Sequence, residues 1–578
     1  MNESPQSTGG HWKKTWAGSR GVFLWSALVG IATFFLVFIY GSSFGRNGLS
    51  WVSISLAIAV FVAVSATLMV WFIRWLRHWR NFKRFLFAAA CLVTLIALAY
   101  AGVNWRSKHN LEKYKHEWEA KGEKFDFGEI IPPPVPDDQN FALTPILFST
   151  YGNLLTREGK FIPSEKRDSN FVDRLDMPLT CNYSAEPTNG GSWQKATLTD
   201  LKPWQEYYRN LATVTNLFPI APRPQSPAED VLLALSKYDS TIEELRQAAR
   251  LPYSRFPLNY NMAPAYAILL PHLANLKRAV RVLQLRAIAE LQNGQSDQAL
   301  ADVTLSLRLA DAIRTEPFII SHLVRIAILA ITLQPVYEGL AAHQWSEAQL
   351  AELDSTLGKL DFLADYEASM RGERACQLEG LEYMRRTHHL EFRGTTERFR
   401  PLNFLIPSAF FYQNELTIAR LYQLSTLPMV DVTNRTVSPA FVQGLENSAF
   451  RELSHISPYN FFARMDYFAI AKAVKKYAHA QSSVDLARVA IALERYKIAR
   501  GEYPESLDAL APQFLKNIPH DVIGGRPLKY RRVGQGEFTL YSIGWNQKDD
   551  GGTVILGKGV TPPVDLDRGD WVWTYPAK

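Results

Sequence analysis

The sequence predicts a membrane-anchored α+β protein: three transmembrane helices, a mainly α-helical extracytoplasmic body, and a C-terminal long helix with a small antiparallel sheet. Three observations carry that expectation. Uncharged apolar windows stand in tandem at the front of the chain, helical periodicity dominates its middle, and strand-like alternation is confined to its end. With 578 residues the chain exceeds what one hydrophobic core usually supports, so several structural units are expected.

The first unit, residues 1–106, is read as the anchor. Residues 21–41, 51–73 and 85–105 contain no Asp, Glu, Lys or Arg, and each matches the roughly twenty helical residues that cross a hydrocarbon core. Trp25, Trp51, Trp71, Trp75 and Trp105 fall near the window ends, as interfacial aromatics do. The first window is too long for a signal-peptide core and lacks a small-x-small cleavage site, so it reads as a retained anchor. Lys13, Lys14 and Arg20 precede it, and Arg74, Arg77, Arg80, Lys83 and Arg84 lie between windows two and three, whereas Arg46 alone lies between one and two. Basic residues stay on the cytoplasmic side, which predicts a cytoplasmic amino terminus and a periplasmic ectodomain on a bacterial inner membrane. The net charge of +7 owes much to these loops and carries no expectation of nucleic-acid binding. Cys91 lies in a window. Cys181 and Cys376 are the two remaining thiols, too far apart in sequence to define a disulfide framework, and free thiols are an equal expectation.

Residues 107–141 follow as a charged helix prolonging the third window to about Gly122, then the proline run "IIPPPVPDDQNFALTP". Such a run extends as polyproline, either as a tether or laid on the domain surface. Residues 142–225 are rich in turn formers and predict loops with short helices. A helical bundle is expected over 226–394, opening with Ser226 as N-cap, Pro227 at the first helical position, and Glu229 and Asp230 at the positive end of the dipole. Within it, two amphipathic helices flank a turn at Asn293 to Ser296. Leu291, Gly294, Ala299, Leu307 and Leu309 resemble a single tetratricopeptide motif, and one copy favours an ordinary antiparallel bundle, because stacked repeats come in threes or more. The string "LVRIAILAITL", residues 323–333, predicts a buried helix of about eleven residues, too short to span a bilayer. Residues 395–460 are aromatic-rich and broken by prolines, and are expected to be irregular.

The final unit, 461–578, predicts a helix to about Arg500 with Leu486, Val489, Leu493 and Tyr496 on one stripe, stopped by Gly501. A short turn and helix at "YPESLDAL" lead to strands at "IPHDVIGGRPLKY" and "GEFTLYSIGW", then the turn run "NQKDDGG". The ordered set "DLARVAIALERYKIARGEYPESLDAL", "IPHDVIGGRPLKYRR" and "FTLYSIGWNQKDDGG" resembles the C-terminal part of the major pseudopilin of bacterial type II secretion. The resemblance covers the last fifth of the chain and implies a long helix packed on a small antiparallel sheet. It also implies a calcium ion in the loop at residues 544–552, where Asn546, Asp549 and Asp550 offer oxygen ligands and Gly551 and Gly552 permit the turn; Asp565 and Asp567 are further acidic residues nearby in sequence. Pseudopilin helices build filaments from a processed amino terminus, whereas this helix begins near residue 461, so the likeness implies an ectodomain module. In its proportions and its "PPPVPDDQNFALTP" signature the whole chain resembles membrane proteins of planctomycete and verrucomicrobial bacteria, which implies no function.

No metalloprotease, phosphate-loop, dinucleotide or paired C-x-x-C motif is present. Cys376, Glu379 and Glu382 share a helical face ahead of His388, His389 and Glu391, but Glu382, His389 and Glu391 match no metal-ligand spacing and read as a solvated face. His272, His322 and His455 sit alone on apolar stretches and read as hydrogen-bonded structural residues. Two functions follow as expectations: an envelope scaffold or protein-interaction module tied to secretion or envelope assembly, or an extracytoplasmic hydrolase with its site between the helical body and residues 395–460. A shallow apolar groove would favour the first, and a deep polar cleft with a Ser/His pair or adjoining carboxylates the second.

Overall fold

The computed structural model describes residues 10–43, 49–156, 160–163, 166, 168, 173–181, 187, 190–388, 406–534, 536–557 and 564–575. The chain divides into two compact units, 1–103 and 104–578. The first contains α1 (Gly10–Ser43), α2 (Leu49–Leu76) and the start of α3 (Trp79–Glu119). Small residues let α1 and α2 approach closely: Ser26, Ser55 and Ala59 are buried, and a Cβ on Gly30 would stand 2.9 Å from that of Ala63. Phe35, Phe61, Phe87 and Leu92 point outward with more than half their surface exposed, which suits lipid and not water.

Among the described residues, four helices are long and apolar enough to cross a membrane: residues 21–40, 51–76, α3, and the body helix Ile319–Ala341. They differ in what covers them. At most 11% of the apolar window is buried in the first three, against 56% in the fourth. This fourth helix corrects the eleven-residue segment expected from "LVRIAILAITL", since it runs for 23 residues. The reason is Pro335, carried inside the helix while flanking Gln334 and Glu338 are bonded to a neighbouring loop, so proline does not end it.

The second unit is mostly helical, with a small antiparallel sheet. The outer part of α3 starts it, and Gly122, at φ 92°, turns the chain away. Glu123 then binds Arg371 and Arg374, both at under 3 Å. Burial alone would raise this carboxyl, but the two guanidiniums hold it down to about 2. The proline run lies on the body: Pro132 is buried and its carbonyl accepts from Arg255 Nε at 3.0 Å, while the Asn140 side chain pairs with both backbone groups of Arg255.

Beyond short turns come α4 (Lys202–Ala212), α5 (Pro227–Leu235), α6 (Asp239–Ala248), α7 (His272–Gln292), α8 (Ser296–Asp311), α9 (Ile319–Ala341), α10 (Glu347–Leu357) and α11 (Phe362–Thr387). Ser226 makes the expected capping box with Glu229. Gly294, at φ 74°, and fully buried Ala299 turn α7 into α8. Residues expected to be irregular instead form α12 (Ser408–Leu421) and α13 (Pro439–Ser454). Their prolines 407 and 439 stand at helix starts, where the missing N–H costs nothing. The helix expected from 461 to Arg500 is divided into α14 (Phe461–Ala471) and α15 (Ala473–Arg500).

α15 sits at the centre of the body, packed on α9, α10 and α11 along one side and on the sheet along another. Nearly every residue from Ala473 to Glu494 is buried. Six of them are alanines, which let neighbouring backbones approach, while Leu486, Val489, Ile491 and Leu493 each contribute roughly 1.5–3 kcal/mol by leaving water. The sheet is β1 (Lys529–Val533), β2 (Glu537–Ser542) and β5 (Trp571–Tyr575) in the order β1-β2-β5, with β3 (Val554–Leu556) and β4 (Val564–Gly569) as a separate pair. The last three strands were not anticipated from the sequence: β3 has three residues, and β4 and β5 follow each other with Asp570 alone between them.

Two buried charge clusters hold the helices in register. Asp302 is fully buried between Arg246 and Arg286, the latter at 3.0 Å. We predict that Asp302→Ala destabilises the protein by about 3–5 kcal/mol in denaturant unfolding, because two guanidiniums lose their partner. At the other, Glu415 of α12 faces Lys115 of α3 at 3.8 Å, with Glu382 and Arg385 nearby. Burial pushes the Glu415 carboxyl up to about 7, and Glu290 and Asp485 are raised by burial to about 7 and about 6. A raised acid pKa gives stability that is complete below the unfolded value and lost as pH rises through the folded one. The melting temperature is therefore predicted to fall between pH 5 and pH 8, and Glu415→Gln to raise it at pH 8 while leaving pH 5 nearly unchanged.

Candidate apolar groove

The polar residues of α9 are withdrawn from water. Ser321, His322, Arg325, Thr332, Gln334 and Glu338 are all buried, Arg325 fully, where it pairs with Asp365 of α11. Leu323, Ile326, Ala327, Ala330 and Ile331 are partly exposed and recur at helical spacing on the side opposite Ser321, Arg325 and Thr332; Gln334 and Glu338 continue this same stripe and are buried by residues 191–199. An Arg and a Glu out of water require partners, and they find them on different sides of the helix: Arg325 in Asp365 of α11, Glu338 in Thr199 of the loop that covers the end of the stripe.

The exposed stripe forms the floor of an open groove of about 370 Å³. One wall is α15, through Lys476, His479, Ala480 and Ser483; α7 adds Lys277 and Gln284, and β4 adds Leu566. One end is closed by residues 191–199. Trp193 Nε1 donates to the Ala330 carbonyl at 3.2 Å, Gln334 Nε2 donates to Thr197 O at 3.2 Å, and Thr199 donates from both its N–H and hydroxyl to Glu338. Trp193 also stacks beside Trp573 of β5, with ring centroids 5.4 Å apart. Burial raises the Glu338 carboxyl and lowers His479 to about 4, so His479 is neutral at pH 7. Lys277 and Lys476 are exposed on the rim, and none of the described lining residues is Asp or Glu. The groove thus offers an apolar floor beneath positive charge.

The residues singled out in the sequence lie elsewhere. In the 544–552 loop, Asn546 donates to Asp550 at 2.7 Å, while Asp549 accepts from Tyr541 at 2.8 Å and faces Lys529 at 3.2 Å. Asp570 accepts from the backbone of Asp550, Gly552 and Thr553, which fixes the turn from the far side. Asp565 pairs with Arg568 and Asp567 with Lys475, so neither turns to this loop. No group of three or more His, Cys, Asp or Glu suited to a metal occurs among the described residues. Cys376 is buried, Glu379 accepts from Ala265 N–H at 2.7 Å, and Glu382 pairs with Arg385; His389 and Glu391 lie outside the described residues. Cys91, Cys181 and Cys376 are free thiols.

His272 and His322 are buried and bonded. His272 joins Tyr151 on Nδ1 and Glu316 on Nε2 at 2.8 Å, and Ser321 donates to the same carboxylate. The serine hydroxyl is thus directed to a carboxylate and not to an imidazole, and Ser321, His272 and Glu316 are each at most 3% exposed. This arrangement ties α7 to α9. On the side of residues 406–460, the adjoining carboxylates Glu382 and Glu415 face Arg385 and Lys115, with Glu415 2% exposed.

Sequence reasoning missed the groove because it took α9 for a uniformly buried segment. The signal was present in the spacing of Leu323, Ile326, Ala327, Ala330 and Ile331, which recur on one side of the helix opposite Ser321, Arg325 and Thr332. Compared with known proteins, the chain matches no family model, no curated sequence and no solved structure.

Proposed function

We propose that the protein is a non-enzymatic binding and scaffold protein of the bacterial envelope. In this reading three N-terminal spans anchor it in the inner membrane with a cytoplasmic amino terminus, and the body is periplasmic. Three tandem uncharged windows and the asymmetry of basic residues around them support the topology. The observation that carries the function is the exposed apolar stripe of α9 beneath Lys277 and Lys476. Such a groove suits an amphipathic segment of a protein partner, its apolar face on Ile326, Ala327 and Ala330 and its acidic residues toward the two lysines. The pseudopilin-like sequence of the C-terminal region directs the proposal toward partners in secretion or envelope assembly.

A photo-crosslinking residue placed at Ile326 or Ala330 in native membranes is expected to capture one discrete partner, and a control at Val533 to capture none. Lys277→Glu with Lys476→Glu is expected to reduce capture at least tenfold while leaving thermal stability unchanged. The same adducts at all three positions, or capture indifferent to the lysines, would contradict the reading. Calcium in the 544–552 loop belongs to the proposal as a separable element. Binding there requires Asp549 to exchange Lys529 and Tyr541 for the ion, so the full-length protein is expected to melt higher in calcium than in chelator. Absence of a shift, or an equal shift in Asp549→Ala with Asp550→Ala, removes calcium from the account.

A further inference from the structure

The body carries a second apolar feature, on residues that do not line the groove, and better suited to lipid than to protein. Between α13 and α14 the chain presents Ile456 at 88%, Tyr459 at 43% and Met465 at 55% exposure. Phe450 and Phe461, at 60% and 40%, flank them. Water makes such an exposed concentration unfavourable, and soluble surfaces of this kind mark contact sites. Arg451 adds a cation close by in sequence, and the Arg464 guanidinium is held against the carbonyls of Leu453 and Ser454.

The hydrogen bonds of α12 locate this segment along α3. The Ala409 N–H, at the start of α12, donates to Asn104 Oδ1 at 2.7 Å, and Gln413 donates to Ser107 Oγ at 2.9 Å. Asn104 and Trp105 end the apolar window of α3. Asn414 in turn donates to the Pro458 carbonyl and accepts from Phe462 N–H, and Thr417 donates to the Tyr459 carbonyl. Phe462 closes the loop by packing on Phe410, with ring centroids 5.8 Å apart. Asn414 is five residues beyond Ala409, a rise of about 7 Å. The headgroup zone on each side of a bilayer is about 5–7 Å thick. Pro458, Tyr459 and Phe462 are therefore tied to α12 about 7 Å, roughly one headgroup layer, beyond the residue that bonds Asn104.

We propose that residues 456–465, together with Phe450, form an interfacial membrane-contact surface that inserts Ile456, Tyr459 and Met465 among lipid headgroups. Aromatic and aliphatic side chains beside arginines are the composition that interfacial segments use. The partner is the lipid surface, and the contact is independent of what the groove binds. It fixes the body on the bilayer at a second point besides α3.

The test uses the full-length protein with Cys91, Cys181 and Cys376 replaced by serine and a single bimane-labelled cysteine at Ile456, Met465 or Val533. The protein is reconstituted into vesicles of phosphatidylethanolamine and phosphatidylglycerol carrying bromine near the headgroup end of the acyl chains. Bimane at 456 and 465 is expected to be quenched at least twofold more than at 533, and less accessible to aqueous iodide. Tyr459→Asp with Met465→Asp, monitored at 456, is expected to abolish the difference while circular dichroism is unchanged. Lipid quenching at 456 and 465 equal to that at 533 would overturn the proposal, whether the segment then proves open to iodide or covered by other protein.

Discussion

The need to satisfy buried charge on an apolar helix organises the rest of the structure. α9 is apolar enough to cross a membrane, yet it holds Arg325, Gln334 and Glu338. In lipid those groups would lack partners, at a cost of several kcal/mol. In the body Arg325 meets Asp365, Gln334 and Glu338 receive the 191–199 loop, and His322 reaches the Glu316 carbonyl at 3.0 Å. Arg325 is thereby fixed toward α11, which leaves the opposite stripe of Leu323, Ile326, Ala327 and Ala330 facing outward, while residues 191–199 cover the end of that stripe at Gln334 and Glu338. The groove is a consequence of this constraint.

α15 supplies the other half of the arrangement. Its alanines bring α9, α10 and α11 close, while several of its buried polar residues are matched individually. Gln481 accepts from the Phe362 N–H at 2.9 Å, Tyr477 meets Ser369 at 2.8 Å, and Glu494 accepts from Tyr503 at 2.8 Å. Because these partners come from α11 and from the chain before the sheet, α15 cannot shift along its axis without stranding a buried polar group. The wall formed by His479, Ala480 and Ser483 is therefore as rigid as the core behind it. A preformed groove of this kind orders little on binding, which preserves affinity.

Much of this architecture was legible in the sequence where local chemistry decides local structure. The capping box at Ser226 and Glu229, the turn at Asn293 to Ser296 and the stop at Gly501 all need only neighbouring residues, and the structure has each of them. Legibility failed where long-range partners override local signals. Pro335 should have ended α9, but the groups around it are satisfied from residues 191–199, more than a hundred positions away. α12 and α13 were hidden behind prolines that turned out to begin helices. The loop at Asn546, Asp549 and Asp550 drew notice for its composition, whereas the groove draws its chemistry from Lys277, the α9 stripe and Lys476, which no single window contains.

The central claim is that α9 is a body helix whose apolar stripe faces an aqueous groove. Its most direct test is electron paramagnetic resonance on the full-length protein in lipid vesicles, with one spin label at Ala327. Labels at Leu92, in the third apolar window, and at Val533, on the sheet, serve as lipid and water references. The account predicts that the label at Ala327 collides with an aqueous nickel complex as the label at Val533 does. Collision with oxygen in preference to nickel, matching Leu92, would place α9 in the bilayer and contradict the account.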